Sequence, residues 1–214
     1  MKRAGGYQRR SGRGSAASRG GQVRIIAGRL GGRRLRVPNA RGLRPTPERT
    51  RETLFNWLQG TLEDARVLDL FAGSGALAFE ALSRGALEAV LVERNAAVAK
   101  GLAEAATALG VDNAQIVSCD ALTWLARACA SAIAGGCSNV GSYDLVFCDP
   151  PFGSPLASRA LSTLRQSALL APRARVYVEW SNHAEAPFDQ AAWAILNTTE
   201  AGESRAALLA MPAP

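Results

Sequence analysis

From residue 66 to residue 180 the chain repeats one unit, a short apolar run followed by a stretch of helical period. The apolar runs lie at 66–71, 88–93, 114–119, 143–148 and 174–180. Strands that are apolar throughout are covered on both faces, and strands alternating with helices run parallel. The pattern predicts an α/β fold, a mostly parallel sheet between helical layers. The clearest helix starts at Asn95 and sets Val98, Leu102, Ala105 and Leu109 on one stripe before Gly110. The end of the chain breaks the unit. Residues 193–197, a turn at Gly202 and residues 205–211 read as two strands with no helix between them. They predict an antiparallel hairpin that closes the sheet. Residues 130–142, with Gly135, Gly136 and Gly141, read as a loop.

The N-terminal quarter has a different grammar. Residues 1–22 hold six Lys/Arg, six Gly and no acid, Val, Ile, Leu or Phe. Such a segment cannot bury surface and is expected to be a disordered basic tail. Residues 23–37 read as a β-hairpin: Val23, Ile25 and Ile26 form an apolar run, Leu35 and Val37 alternate with Arg34 and Arg36, and Gly31-Gly32 makes the turn. A two-stranded ribbon is marginal alone, so it must pack on the rest. Thr46-Pro47 supplies an N-cap and a first-turn proline. The helix that follows carries Leu54, Phe55 and Leu58 and stops at Gly60. Three parts are expected: the tail 1–22, a hairpin and helix over 23–60, and a nucleotide-binding type of domain over 61–214.

Charge follows the same division. The net charge is +7, yet residues 1–51 carry 15 Lys/Arg against the single acid Glu48, while the rest carries ten against 17 acids. Genomic bias explains why 23 of 25 bases are Arg, but not their segregation. A basic end on an acidic body indicates an anionic partner held at that end. Arg24, Arg29, Arg33, Arg34, Arg36 and Arg41 are the candidates to grip its phosphates. Other counts remove whole classes. One His, His183, leaves no basis for a Ser-His-Asp triad or a His-rich metal site, so no metal is expected. Cys119, Cys129, Cys137 and Cys148 form no C-x-x-C pair and no disulfide framework, which points to reduced thiols in a cytoplasmic protein. No apolar run is long enough to span a bilayer, and no apolar h-region follows the basic start.

The chemistry lies at the ends of the strands. Asp69-Leu70-Phe71-Ala72-Gly73-Ser74-Gly75, with Ala78, fits G-x-G-x-x-[G/A] where a strand turns into a helix. Such a turn lets backbone N–H groups approach a nucleotide-like ligand, though it can also be purely structural. Glu93 ends the next strand, where an acid can accept both ribose hydroxyls. Asp120 follows the third, where it can accept from an adenine amine, cap a helix, or do both. Asp69 suits a cationic methionyl group better than a pyrophosphate. Arg94, Cys119 and Ala121 flank these acids. After the fourth strand comes Asp149-Pro150-Pro151-Phe152. An amine on a base is a poor nucleophile because its lone pair is conjugated into the ring. Acceptors at the Asp149 carboxylate and the Pro150 carbonyl favour pyramidal nitrogen, rigid prolines preorganise them, and Phe152 can stack on a flipped base. Cytosine-C5 chemistry needs a Cys nucleophile, usually within Pro-Cys. The chain has none, and Cys148 sits in an apolar strand.

Together Asp69 to Gly75, Glu93, Asp120 and Asp149 to Phe152 resemble the Rossmann-like class I S-adenosyl-L-methionine-dependent methyltransferases that act on exocyclic amines of bases. Arg24 to Gly28, Leu43 to Asn56, Leu68 to Leu77 and Val146 to Phe152 make the resemblance narrower, to the RsmD family of bacterial 16S rRNA methyltransferases, over residues 23 to about 211. The resemblance implies methylation of the N2 amine of one guanine, nucleotide 966, in 16S rRNA on the small ribosomal subunit or its assembly intermediate. It also implies a seven-stranded sheet with an antiparallel last strand, and Arg44 and Thr46 lying over the cofactor pocket; a monomer is expected. The tail 1–22 and the long stretch 130–142 depart from the family pattern. A DNA amino-methyltransferase acting on adenine N6 or cytosine N4 would use the same Asp-Pro-Pro-Phe site. A non-enzymatic RNA-binding assembly factor and a nicotinamide oxidoreductase account for fewer of the motifs.

Overall fold

The computed structural model describes residues 21–36, 46–133 and 142–212. Most of the basic tail, Arg41, Arg44 and the glycines of 134–141 lie outside the described residues. The chain forms β1 (Gln22–Arg24), β2 (Arg34–Arg36), α1 (Glu48–Trp57), β3 (Arg66–Asp69), α2 (Ala76–Ser83), β4 (Glu88–Glu93) and α3 (Ala96–Leu109). There follow β5 (Ala114–Ser118), α4 (Ala121–Ile133), β6 (Tyr143–Cys148), α5 (Leu156–Arg165), β7 (Leu170–Ser181), β8 (Ala194–Ala201) and β9 (Ser204–Ala210).

β3 to β9 make one seven-stranded sheet in the order β5-β4-β3-β6-β7-β9-β8. The first five strands in that order are parallel, and β9 runs antiparallel to both its neighbours. This is the expected Rossmann-like architecture. Successive strand residues point to opposite faces, which splits the core into two layers. Val67, Leu91, Phe147, Tyr177 and Leu208 pack with α1, α2, α3 and the ribbon. Leu68, Val90, Val146, Val178 and Leu209 pack with α4 and α5. The strand order reverses between β3 and β6, the position where open α/β sheets leave a crevice at the carboxyl ends of their strands.

Several local expectations change. The N-cap of α1 is Pro47, not Thr46, and no side chain caps the helix; the Thr46 hydroxyl serves a distant partner described below. α4 continues through Ala130 to Ile133, so the expected loop begins as helix. In α3, capped by Asn95 and ended by Gly110, Ala106 rather than Ala105 takes the buried place. The ribbon strands are only three residues each, pairing Val23 with Leu35. Their connection is longer than a Gly31-Gly32 turn because it docks on the end of α2. At Gly28 (φ +77°) an added Cβ would meet the Ser83 carbonyl oxygen at 1.8 Å. Arg29 N–H donates to that carbonyl at 2.7 Å, and Leu30 N–H to the Ser83 hydroxyl at 2.8 Å.

One buried carboxylate fastens ribbon, α1 and α2 together. Glu80, 0% exposed, accepts from the N–H groups of Ile26 at 2.6 Å and Ala27 at 3.0 Å. Arg84 pairs with it at 2.7 Å, and Arg51, itself buried, lies at 4.0 Å. Arg51 also donates to the Arg24 carbonyl at 3.0 Å. A buried acid is tolerated when its charge and lone pairs are met this fully. Val23, Ile25, Leu30 and Leu35 join the same apolar layer, so ribbon, first helix and sheet share one core.

Candidate active site

A cavity of about 430 Å³ opens at the carboxyl edge of the sheet, where the strand order reverses. Its size falls in the range of small-molecule sites. Residues from all four strand-end motifs, Asp69 to Gly75, Glu93, Asp120 and Asp149 to Phe152, line it. Phe71, Ala72, Gly73 and Ser74 form one wall. Gly73 adopts φ +52° and donates its N–H to Glu93 Oε2 at 3.1 Å. Asn95 N–H donates to Glu93 Oε1 at 2.7 Å. Glu93 is thus held in place while each oxygen keeps a further lone pair. Asp120 uses Oδ1 to accept from the N–H and hydroxyl of Thr123 at 3.0 and 3.2 Å. It bonds the first turn of α4 and also lines the cavity. Arg94 and Ala121 are on the wall as well.

Two expected residues are not on the wall. At Gly75 (φ +74°) a Cβ would come within 2.6 Å of the Phe79 ring and 2.8 Å of Leu102. That glycine lets α2 start close against α3. Cys119 is half-buried and packs in the layer of α4.

The cavity is acidic from end to end. Asp69, the last residue of β3, is buried, and burial pushes its carboxyl up to about 7. Glu93 pushes the same way, and the N–H groups of Phe71 and Ala78 pull it partly back. Asp149 follows β6, with Pro150 buried behind it and Pro151 and Phe152 outside; Phe152 is 42% exposed at the rim. Thr46 donates its hydroxyl to Asp149 Oδ2 at 3.0 Å. Burial, then the negative charge of Glu179, holds the Asp149 carboxyl well above the usual range, and the Thr46 bond opposes them.

Glu179, on β7, was missed by the sequence reading. It is 4% exposed, lines the cavity, and accepts from the Tyr177 hydroxyl at 3.0 Å. The available signal was an acid at the end of the otherwise apolar run Val176-Tyr177-Val178. The β8–β9 turn also reaches the wall through Ala201, Glu203 and Ser204. Cys148 is buried in β6, and burial raises its thiol far above the ordinary range, which leaves it no thiolate to use. Among the described residues no cluster of His, Cys, Asp and Glu could hold a metal ion.

The arginines of the ribbon, Arg24, Arg29, Arg33, Arg34 and Arg36, are all exposed. They do not share one position relative to the cavity. Arg24 pairs with Glu48 at the start of α1 at 3.1 Å, next to the cavity-lining Thr46 and Pro47. Arg29 and Arg33 lie on the loop docked at the far end of α2. That helix starts on the cavity wall and runs eight residues away from it, about 12 Å. Among the described residues no helix is long and apolar enough to cross a membrane.

The family model described as Conserved hypothetical protein 95 matches residues 23–210. Ribosomal RNA small subunit methyltransferase D of Escherichia coli strain K12 is 40% identical over 199 residues, spanning 87% of this chain and 95% of its own. The protein of the same name from Haemophilus influenzae is 42% identical over 161 residues, 74% of this chain and 79% of its own. Among solved structures, the putative methyltransferase yhhF from Escherichia coli matches with a TM-score of 0.77 at 37% identity, covering 89% of this chain and 98% of that one. An RNA methyltransferase from Salinibacter ruber, solved with S-adenosyl-L-homocysteine, shares the fold at a TM-score of 0.56 and 17% identity, covering 79% and 94%. Matched over most of its length, with its strand-end motifs gathered around one cavity, the chain belongs to the family described as Conserved hypothetical protein 95, the RsmD family, and is a Rossmann-like methyltransferase.

Proposed function

We propose that this enzyme transfers a methyl group from S-adenosyl-L-methionine to the N2 amine of a guanine in 16S rRNA, on the small ribosomal subunit or its assembly intermediate. The observation that carries this reading is the joining of two half-sites in one cavity, an adenosine-type half at Glu93 and Asp120 and an amine-type half at Asp149–Phe152. The donor set fits the cofactor. Glu93 has lone pairs for ribose hydroxyls, Asp120 faces the adenine position, and the carboxylate of Asp69 lies where the cationic methionyl part would rest. When bound, S-adenosyl-L-methionine supplies a methyl group on an electrophilic sulfonium. The protein supplies the rest. Thr46 fixes Asp149 by occupying Oδ2, which leaves Oδ1 to accept a hydrogen from the amine. The Pro150 carbonyl takes the other hydrogen, and Phe152 stacks on the base. The amine sheds one proton as the N–C bond forms, and an acid whose carboxyl is raised by burial is suited to receive it.

Relatives named as small-subunit rRNA methyltransferases favour RNA over DNA as substrate. The exposed arginines of the ribbon then grip phosphates, with Arg24 nearest the cavity, in a cytoplasmic monomer. The test is methyl incorporation by the purified enzyme into small subunits from cells lacking the gene, against duplex DNA. Labelled N2-methylguanine in the subunit RNA is the expected product. Label in N6-methyladenine or N4-methylcytosine of DNA overturns the proposal.

A further inference from the structure

The arginines beside the cavity gather on one face. β1 and β2 pair Gln22 with Arg36, Val23 with Leu35 and Arg24 with Arg34. Successive strand residues point to opposite faces. Val23 and Leu35 turn into the core, so the outer face of the ribbon carries Gln22, Arg24, Arg34 and Arg36, all exposed. Arg24 and Arg34 stand directly opposite each other, and Arg36 lies roughly 7 Å beyond Arg34 along its strand. The Arg24–Glu48 pair sets this face against the first turn of α1. The next residue on that turn, Arg49, is exposed, two positions after the cavity-lining Pro47. Arg33, on the docked loop, turns instead to the end of α3, where it donates to the Leu109 carbonyl at 3.5 Å.

Like charges directly opposite each other destabilise a ribbon, and the fold answers these sparsely. Among the described residues Glu48 is the only acid paired with the group. Arg34 donates to the neutral Gln22 Oε1 at 3.2 Å. Both partners of the Arg24–Glu48 pair are about half exposed, and such pairs contribute little. An arrangement that folding does not favour gains from an anion, and a row of guanidinium groups gains most from a strand of regularly spaced phosphates. The planar fork of Arg takes phosphate oxygens two at a time. We propose, resting on the RNA reading above, that Arg49, Arg24, Arg34 and Arg36 form a track that holds the phosphates of the RNA strand next to the target nucleotide. Arg49 is its cavity end, and Glu48 competes with the RNA for Arg24. Phosphate contacts carry no sequence information, so the track sets the position of the strand and leaves the choice of base to the cavity.

The test uses a probe with the backbone but no guanine, a short fluorescent oligouridylate, and reads its anisotropy across a salt series. On a single strand each neutralised phosphate contributes about 0.7 to the slope of log affinity against log salt. Arg34→Gln, Arg36→Gln and Arg49→Gln should each weaken binding and make the slope shallower by about 0.7. Glu48→Gln releases Arg24 and should tighten binding. Arg127→Gln, at an exposed position of α4 in the other layer, should leave the slope unchanged. With small subunits as substrate, the combined Arg34→Gln, Arg36→Gln and Arg49→Gln variant should lose at least about tenfold in kcat/KM. Unchanged calorimetric binding of S-adenosyl-L-methionine shows that a variant is folded. If an arginine variant fails that control, Glu48→Gln carries the test with the opposite sign. Slopes unchanged in the arginine variants, an equal change in Arg127→Gln, or no oligouridylate binding by wild type at low salt overturns the track. A slope unchanged by Arg49→Gln alone removes its cavity end. Absence of methylation of small subunits by wild type, with the slopes changed as expected, overturns instead the function on which the track rests.

Discussion

Glu80 and the Asp149–Glu179 pair are carboxylates on the same side of one sheet, with Glu80 and Glu179 buried and Asp149 half-buried, and they are treated in opposite ways. Glu80 has two backbone N–H groups, Arg84 and Arg51 around it. Asp149 has a neutral hydroxyl from Thr46 and a second acid for a neighbour. The first arrangement spends the charge on architecture, fastening the ribbon to the sheet. The second sets two acids side by side on the cavity wall, where like charge and burial raise the Asp149 carboxyl. What separates the two arrangements is the sign of the neighbouring charge: cations surround Glu80, whereas an acid stands beside Asp149.

The sharpest break of the comparison is Glu80→Ala. It strands the buried Arg51 and frees the Ile26 and Ala27 N–H groups, so urea denaturation should show a loss of about 3–5 kcal/mol. On the other side, Asp149→Ala should leave folding and calorimetric binding of S-adenosyl-L-methionine nearly intact while kcat falls about 100- to 1,000-fold. Retained turnover would remove Asp149 from the site. Asp69 sharpens the contrast through pH. Unfolded, its carboxyl loses a proton near the ordinary value of 3.8; folded, only at about 7. Between those limits the native state holds the extra proton, so stability falls as pH rises, by about 1.4 kcal/mol per unit at the steepest. Asp69→Asn should flatten that slope in melts run without cofactor. The smallest effect belongs to Thr46→Val. Losing the bond that lowers the Asp149 carboxyl should shift the acidic limb of the kcat/KM profile to higher pH and cost about tenfold below it. An unshifted limb would show that Thr46 does not tune the acid.

Much of this was legible in the chain. Strand–helix alternation gave the sheet, and the residues after each apolar run gave Asp69, Glu93, Asp120 and Asp149, because strand ends and glycine turns are local signals. What escaped depends on partners far along the chain. Thr46 reads as a helix cap because Thr-Pro is a local cap pattern, yet its partner is Asp149, 103 residues on. Glu80 belongs to no local motif, and it meets Ile26 and Ala27 more than 50 residues away. Glu179 looks like an acid at a strand end until the register with β6 sets it beside Asp149. Gly75 fits the glycine fingerprint but serves helix packing, a distinction no spacing rule contains.

All eight residues of α2 are buried. That helix begins on the wall of the cavity and ends at the Ser83 anchor of the ribbon. With no face in solvent it has nowhere to absorb a shift, and interiors packed at crystal density pass displacement on rather than damp it. For an engineer who wants to exchange ribbons between relatives and so retune which RNA is held, the transplantable cassette is therefore not residues 23–36 alone. It is the ribbon together with α2 and the glycine turn that opens it, moved as one rigid part.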